Sequence, residues 1–385
     1  MKHIRIKNFG PIKEADLTFG KVNVIIGMQS SGKSCVLKIA CYCVWVEKRL
    51  ELTRKVNDFG NGSTFIDMML KYYNMPGYLK DETYIEYETN HLKFKYDNLS
   101  QSFDLVWKNE RWNYKRPKVS YIPADRNIVA VIPSWSALPL DEYMIDFMAD
   151  WDKARKSVSR EDNFLGLGLS YIYDSMVNSD RIELEDGRPL MLKESSSGIQ
   201  SLLPMYVHLD YLMGGLYHDA GEKISYEQKE ERKNLLSTIY SNLYDETSQG
   251  TCSEIVTIDG FDYHFKEYRD AEKFKALYKK YINTDHSEIF LEEPEDNLFP
   301  PTQCNFINWL LDSIQKHDDT LFIATHSPYV LNQVIKINPK KLNIFFTYPS
   351  GDEKTLYSVR QLKESEVHEI YDNGVDMFFN FELYV

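Results

Sequence analysis

Eight consecutive residues constrain this chain more than any others: Gly27-Met28-Gln29-Ser30-Ser31-Gly32-Lys33-Ser34 fills every fixed position of the pattern G-x-x-x-x-G-K-[ST]. The glycines let the backbone turn tightly enough for successive N–H groups to converge on phosphate oxygens. A helix that starts there adds the positive end of its dipole. On this reading Gly27, Gln29, Ser30, Ser31 and Gly32 wrap the phosphates, Lys33 reaches the β- and γ-phosphates of ATP, and the Ser34 hydroxyl ligates Mg²⁺. The flanks supply the required context. Val22-Asn23-Val24-Ile25-Ile26 reads as a buried strand before the loop, and Cys35-Val36-Leu37-Lys38-Ile39-Ala40 reads as a helix after it.

A second apolar run ends in chemistry. Ser287-Glu288-Ile289-Phe290-Leu291 leads into Glu292-Glu293-Pro294-Glu295. Two adjacent carboxylates at a strand's end point to opposite sides of it, so one can hold the Mg²⁺ shell while the other polarises water. This makes Glu292 the candidate metal ligand and Glu293 the candidate general base. A third run, Thr320-Leu321-Phe322-Ile323-Ala324, ends in Thr325-His326-Ser327-Pro328.

Composition excludes several alternatives. With 43% hydrophobic and 14% aromatic residues in 385, the chain can bury a large core and is not a disordered protein. No stretch approaches the roughly 18 apolar residues of a membrane helix, and the first six residues lack a signal peptide's apolar segment. A cytoplasmic protein with no membrane partner is expected. Five cysteines, Cys35, Cys41, Cys43, Cys252 and Cys304, read as reduced core residues, with no spacing suited to zinc. The net charge of −13 argues against a uniformly basic nucleic-acid binder and leaves a local basic groove as the route to DNA or RNA.

Between the motifs, 1–26 alternates as a hairpin feeding the loop strand, and three alternating runs in 83–107 predict an antiparallel meander. Val119-Ser120-Tyr121-Ile122 predicts a strand ending in Pro123-Ala124-Asp125-Arg126; a surface arginine at an ordinary strand end reads equally well there. Residues 140–180 are expected to be helical, interrupted by Gly166 and Gly168, and 181–190 to be a hairpin around Asp186 and Gly187. Residues 204–250 are expected to form a helical insert with a solvated, charged middle. Closing strands over 342–359, a short helix and an aromatic tail at Phe378, Phe379 and Phe381 end the reading.

The opening stretch "IRIKNFGPIKEADLTFGKVNVIIGMQSSGKS" resembles the start of ABC-type ATPase heads of the SMC, Rad50, RecF and OLD group, with Gln29 where that group commonly has Asn. "IPADR" and "EEPEDNLFP" resemble the stand-alone OLD-like members. The resemblance implies an α/β fold: a P-loop ABC-type ATPase head with a mixed parallel core sheet, an antiparallel β subdomain and a helical subdomain. It implies a single domain over 1–385, with the phosphate loop and β subdomain in 1–135, a helical signature subdomain with an insert in 136–286, and the Walker B strand, switch histidine and closing strands in 287–385.

Ser197-Gly198-Ile199-Gln200 then lies over the family signature, and Ser197, Gly198 and Gln200 would contact a nucleotide bound by a second protomer. The same residues would serve simply as a helix N-cap if read alone. His326 would sense the γ-phosphate, and Asp296 and Asn297 would lie at a dimer contact. The resemblance implies a homodimer or higher oligomer, and a regulatory ATPase acting on a separately encoded effector, as in two-gene anti-phage systems. A RecF-like DNA-repair ATPase is the alternative. A transporter subunit is disfavoured because 94 positions separate Gly198 from Glu292. The stretch after the switch strand is too short for a Toprim-type metal-binding domain, and the insert is too poor in heptads for an SMC coiled coil.

Overall fold

Alternation in the first residues becomes three strands, β1 (Lys2–Phe9), β2 (Ile12–Phe19) and β3 (Val22–Gly27), and the glycine loop opens directly into a long helix, α1 (Lys33–Thr53). The computed structural model describes residues 2–132, 138–158, 160–218, 226–244, 254–337, 342–351 and 353–373. Two short helices, α2 (Asn57–Gly60) and α3 (Thr64–Tyr72), precede a meander of β4 (Tyr84–Glu88), β5 (Leu92–Asp97) and β6 (Ser102–Trp107). Then come β7 (Pro117–Ile122), α4 (Ile128–Val131) and α5 (Glu142–Ser157), followed by β8 (Arg160–Glu161), β9 (Leu169–Asp174), β10 (Ser179–Leu184) and β11 (Pro189–Met191). Next are α6 (Ser197–Met213), α7 (Tyr226–Leu243), β12 (Glu254–Ile258), β13 (Phe261–Phe265) and α8 (Tyr268–Ile282). The chain continues through β14 (His286–Glu292), α9 (Pro300–Ser313), β15 (Thr320–Ala324), α10 (Pro328–Ile337), β16 (Leu342–Ser350), β17 (Glu353–Gln361) and α11 (Glu364–Asn373).

Eleven strands form one mixed sheet in the order β6-β5-β4-β1-β2-β17-β16-β3-β15-β14-β7. The segment from β16 to β7 is parallel throughout, whereas β6 to β2 is antiparallel. The parallel half is covered on both faces, and its side chains divide with period two. Ile25, Phe290, Phe322 and Phe345 join a core with α1. Their neighbours Val24, Ile26, Leu291, Ile323 and Ile344 join the opposite core with α5, α6, α9 and α10. Asn23 is the polar residue within buried β3. It is satisfied by accepting from Gly20 N–H at 2.8 Å and donating to the Gly20 carbonyl at 2.9 Å.

The antiparallel meander is present and joins the core sheet, since β4 pairs with β1. One expectation needs correction. The expected helix over 140–180 ends at Ser157, and β8 and β9, separated by a short turn at Phe164–Gly166, belong to a four-stranded antiparallel sheet β11-β10-β9-β8. Gly166 and Gly168 adopt φ of 70° and 68°, which a helix cannot carry, and Leu169, Tyr171 and Tyr173 alternate on β9. The described residues of 204–250 are mainly helical, as expected. Between α7 and α8 lies the β12–β13 hairpin, turned at Asp259 and Gly260 with φ of 50° and 86°. Its inward residues Val256, Tyr263 and Phe265 pack with Leu236, Ile239 and Phe274 as a third core. The aromatic tail and Cys252 lie outside the described residues. Among the described residues, no helix is long and apolar enough to cross a membrane, and Cys35, Cys41 and Cys43 are buried free thiols.

Candidate functional site

In a parallel sheet, the crevice at the strands' carboxyl ends is where ligands bind. Here β3, β15, β14 and β7 lie side by side, so the loops that follow them meet at one edge. The loop after β3 needs its glycines. Gly27 has φ of 150°, and a Cβ there would sit 1.8 Å from Thr347 Oγ1 of β16. Gly32, at φ of 90°, would press a Cβ to 2.5 Å from Ile12 Cδ1. Ser31 ties the loop to the sheet: its Oγ donates to the Met28 carbonyl at 2.6 Å and lies 2.5 Å from Thr347 Oγ1. Met28, Gln29 and Ser30 stand exposed at the loop's tip.

Lys33 is buried and folds back over the loop, donating to the Gly27 and Met28 carbonyls at 3.0 and 2.8 Å. Burial pulls its pKa down, against the opposing charges of Glu293 and Glu295. An ammonium held this way exchanges carbonyl contacts for phosphate oxygens with little rearrangement. Ser34, the next residue, is half-buried at the start of α1.

The acidic turn after β14 is held from three sides. Glu293 has a left-handed φ of 41°, unusual for a residue with a side chain, and its N–H donates to the Ala324 carbonyl of β15 at 2.8 Å. Arg126, fully buried, donates to the Glu292 and Glu293 carbonyls at 2.9 and 2.8 Å and to the Pro123 carbonyl at 3.2 Å. Glu295 Oε1 accepts from Thr325 Oγ1 at 2.8 Å and from His326 N–H at 2.9 Å, joining the acidic turn to the histidine turn. His326 Nε2 lies 3.6 Å from Glu293 Oε2 and 3.9 Å from Glu295 Oε1. Glu293 is the carboxyl group whose pKa is raised here, by burial first and by Glu295, Asp296 and Glu292, with His326 opposing. A carboxyl poised upward in this way suits proton abstraction.

Glu292 fits a divalent ion. Its Oε2 accepts a long 3.4 Å bond from Ala124 N–H, its Oε1 is buried with no close hydrogen bond, and the buried Tyr121 hydroxyl lies near the carboxylate. A buried carboxylate oxygen without a hydrogen-bond partner is of the donor type that Mg²⁺ takes, and the Ser34 hydroxyl would be a second oxygen donor. Among the described residues, no group of three or more His, Cys, Asp or Glu side chains could hold a metal by itself.

The signature candidates stand apart from this cluster. α6 begins at Ser197, capped by Ser196, whose Oγ accepts from Ile199 N–H at 3.4 Å. Ser197 is exposed. A Cβ on Gly198 would meet the Asn297 carbonyl at 3.0 Å, so α6 starts against the acidic turn. Gln200 turns its amide back, donating to the Lys193 and Ser195 carbonyls at 2.9 and 3.0 Å. No hydrogen bond or ion pair among the described residues joins 197–200 to the phosphate loop.

Sequence reasoning left out Arg126 as a site residue and did not single out Glu295 or Thr347. Glu295 alone carried a readable signal, since it is the third acid of the same run. The contacts of Arg126 and Thr347 span 166 and 316 positions of chain and left no local trace.

No protein-family model and no curated protein matches this chain. Solved structures do match. They include the SMC head domain from Thermotoga maritima, at 10% identity over 94% of this chain and 98% of that one, with a TM-score of 0.43. An ATP-binding cassette of an ABC transporter in its ADP conformation matches at 11% identity over 99% of both chains, with a TM-score of 0.33. The recombination mediator protein RecF matches at 14% identity over 94% of this chain and 97% of that one, with a TM-score of 0.33.

Proposed function

We propose that this chain is an ABC-type ATPase that binds Mg-ATP at the carboxyl edge of its parallel strands and hydrolyses it. One observation carries the reading: three adjacent parallel strands end in Lys33's loop, in Glu292 and Glu293, and in His326, and these ends are cross-linked by hydrogen bonds. Glu293 takes a proton from the attacking water as its oxygen bonds to the γ-phosphorus. The bond to the β–γ bridging oxygen breaks, and ADP leaves. Lys33 neutralises charge on the β- and γ-phosphates, and His326, beside Glu293, donates to the γ-phosphate. Mg²⁺, held by Ser34 and Glu292, would supply charge neutralisation across the same phosphates.

The exposed start of α6 supports a shared site. Ser197 and Gly198, packed against the 293–299 turn, offer an unpartnered helix end to a second protomer's nucleotide. Phe299, 75% exposed beside them, adds apolar surface to the same face. The resemblance of "EEPEDNLFP" to OLD-like ATPases extends the proposal to a nucleotide-gated dimer that regulates a separately encoded effector, in anti-phage defence.

The test is turnover and solution mass together. Glu293→Gln is expected to lower ATP turnover by about 10²–10⁴-fold while retaining ATP binding. Its mass is expected to double with Mg-ATP, and Ser197→Arg to abolish the doubling. Unchanged turnover in Glu293→Gln would remove the catalytic assignment. A monomer throughout would remove the shared site. A neighbouring gene for a small effector supports the regulatory role, and a neighbouring permease gene overturns it.

A further inference from the structure

β7 ends the sheet, and beyond it lies a cavity of about 590 Å³ enclosed by α1, α3, β7 and α5. Its size falls within the range of small-molecule sites. Aromatic rings form much of the wall. Tyr143 lies 5.8 Å from Tyr73 and 5.9 Å from Tyr121, and Trp45 stacks on Tyr42 at 5.7 Å.

The charges lining it pair off with one exception. Lys118 Nζ donates to Asp150 at 2.7 Å, the Tyr72 hydroxyl donates to Asp146 at 2.7 Å, and Lys71 pairs with Glu142 at 2.7 Å on the exposed rim. Lys48, from the middle of α1, lines the cavity and makes no hydrogen bond or ion pair with a described residue. Lys48 is half-buried, and an ammonium there without a hydrogen-bonded counter-ion is costly. Burial, with Arg116 and Lys118 nearby, brings its pKa down to about 7, against Asp150 and Glu288. Tyr73, Tyr121 and Tyr143 close on the Lys38 ammonium at 5.8, 6.0 and 5.1 Å, so a flat apolar body is accepted by the half-buried faces of Trp45 and Tyr143, and the unpaired cation accepts an anion attached to it.

We propose that this cavity is a binding site for a small aromatic anion, whose ring lies against Trp45 and Tyr143 and whose charged group pairs with Lys48. An anion there keeps Lys48 protonated, so binding weakens as the free lysine titrates. The charged groups packed around it are Arg116 just before β7, Lys118 from β7, Asp146, Asp150 and Lys153 from α5, and Glu288 from β14.

The experiment is calorimetric titration of the full chain with 1-naphthoate, read without any measure of ATP turnover. One saturable site is expected. Its affinity should fall about tenfold between pH 6 and pH 8, as expected for a lysine titrating near 7. It should fall at least tenfold in Lys48→Met and for the uncharged 1-naphthylmethanol, and persist in Lys33→Ala. Absence of saturable binding, equal binding of the uncharged analogue, or equal binding by folded Lys48→Met overturns the proposal. If Lys48→Met does not fold, the uncharged analogue and the pH profile decide between the same two outcomes. Loss of binding in Lys33→Ala would move the anion to the phosphate loop and also overturn it.

Discussion

Replacing Arg126 by methionine perturbs the candidate site without touching a residue proposed to contact nucleotide. The side chain is fully buried, and burial lowers its pKa to about 10, against the charges of Asp296, Glu295, Glu293 and Glu292, so it is cationic at neutral pH. Its two shorter bonds, 2.9 Å to the Glu292 carbonyl and 2.8 Å to the Glu293 carbonyl, are charge-assisted. Each such bond is worth roughly 1.5–3 kcal/mol, and part of the sum returns because methionine carries no buried charge. A net loss of about 3 kcal/mol follows, with the methionine filling most of the vacated volume. The turn also holds Glu293 at its left-handed φ, so turnover should drop about tenfold or more as that carboxyl loses its fixed position. Urea unfolding followed by circular dichroism measures the first effect as a lower midpoint at constant slope. Steady-state ATP turnover measures the second, and Arg126→Lys should recover part of both. A stability change below about 0.5 kcal/mol with normal turnover would refute the positioning role.

Three further outcomes are expected. His208 is fully buried, its Nδ1 has no partner, and burial lowers its pKa to about 4. Its contribution to stability is therefore complete above about pH 6.5 and is lost as pH falls toward 4, by at most about 3 kcal/mol; denaturation of His208→Gln should show a flatter acid limb than the parent. Gly27→Ala places a methyl 1.8 Å from Thr347 Oγ1 and 2.9 Å from the Thr347 carbonyl, so melting should reveal a loss of about 2 kcal/mol or more, of which Thr347→Ala recovers only part. Lys33→Ala should abolish the rise in melting temperature that Mg-ATP gives the parent chain, and an undiminished rise would detach Lys33 from the nucleotide.

The parts of the fold that could be read from sequence are those with a local cause. The phosphate loop is covalently continuous with its strand and helix, and both Glu293 and His326 directly follow uninterrupted apolar runs, so each could be named as a candidate from its neighbours alone. The β10–β11 half of the four-stranded sheet after α5 was legible as a hairpin at Asp186 and Gly187, but β8 and β9 were missed because Leu165, Leu169 and Ile172 also fit a helical spacing, and only the glycines' positive φ rules that out. The turn at Asp259 and Gly260 carried the same signal as Asp186 and Gly187, but the charged stretch before it masked the hairpin. Continuity of the antiparallel strands with the core sheet depends on β17 inserting between β2 and β16, a pairing of residues more than 300 positions apart. The cage around the acidic turn has the same origin: Arg126 is indistinguishable from a surface arginine until β7 and β14 are seen to be neighbours.

The strand that presents the phosphate loop has a consequence for how the protein is made. β3 leaves the ribosome long before its two neighbours in the sheet, β15 and β16, which belong to residues 320–324 and 342–350. A nascent chain halted before residue 320 therefore carries the whole G-x-x-x-x-G-K-[ST] motif on a strand with no partner on either side. Such pairings close large loops and form late. The incomplete chain can neither anchor Ser31 to Thr347 nor hold the acidic turn against Ala324. On the proposed function, nucleotide should thus engage only molecules whose synthesis has passed this point.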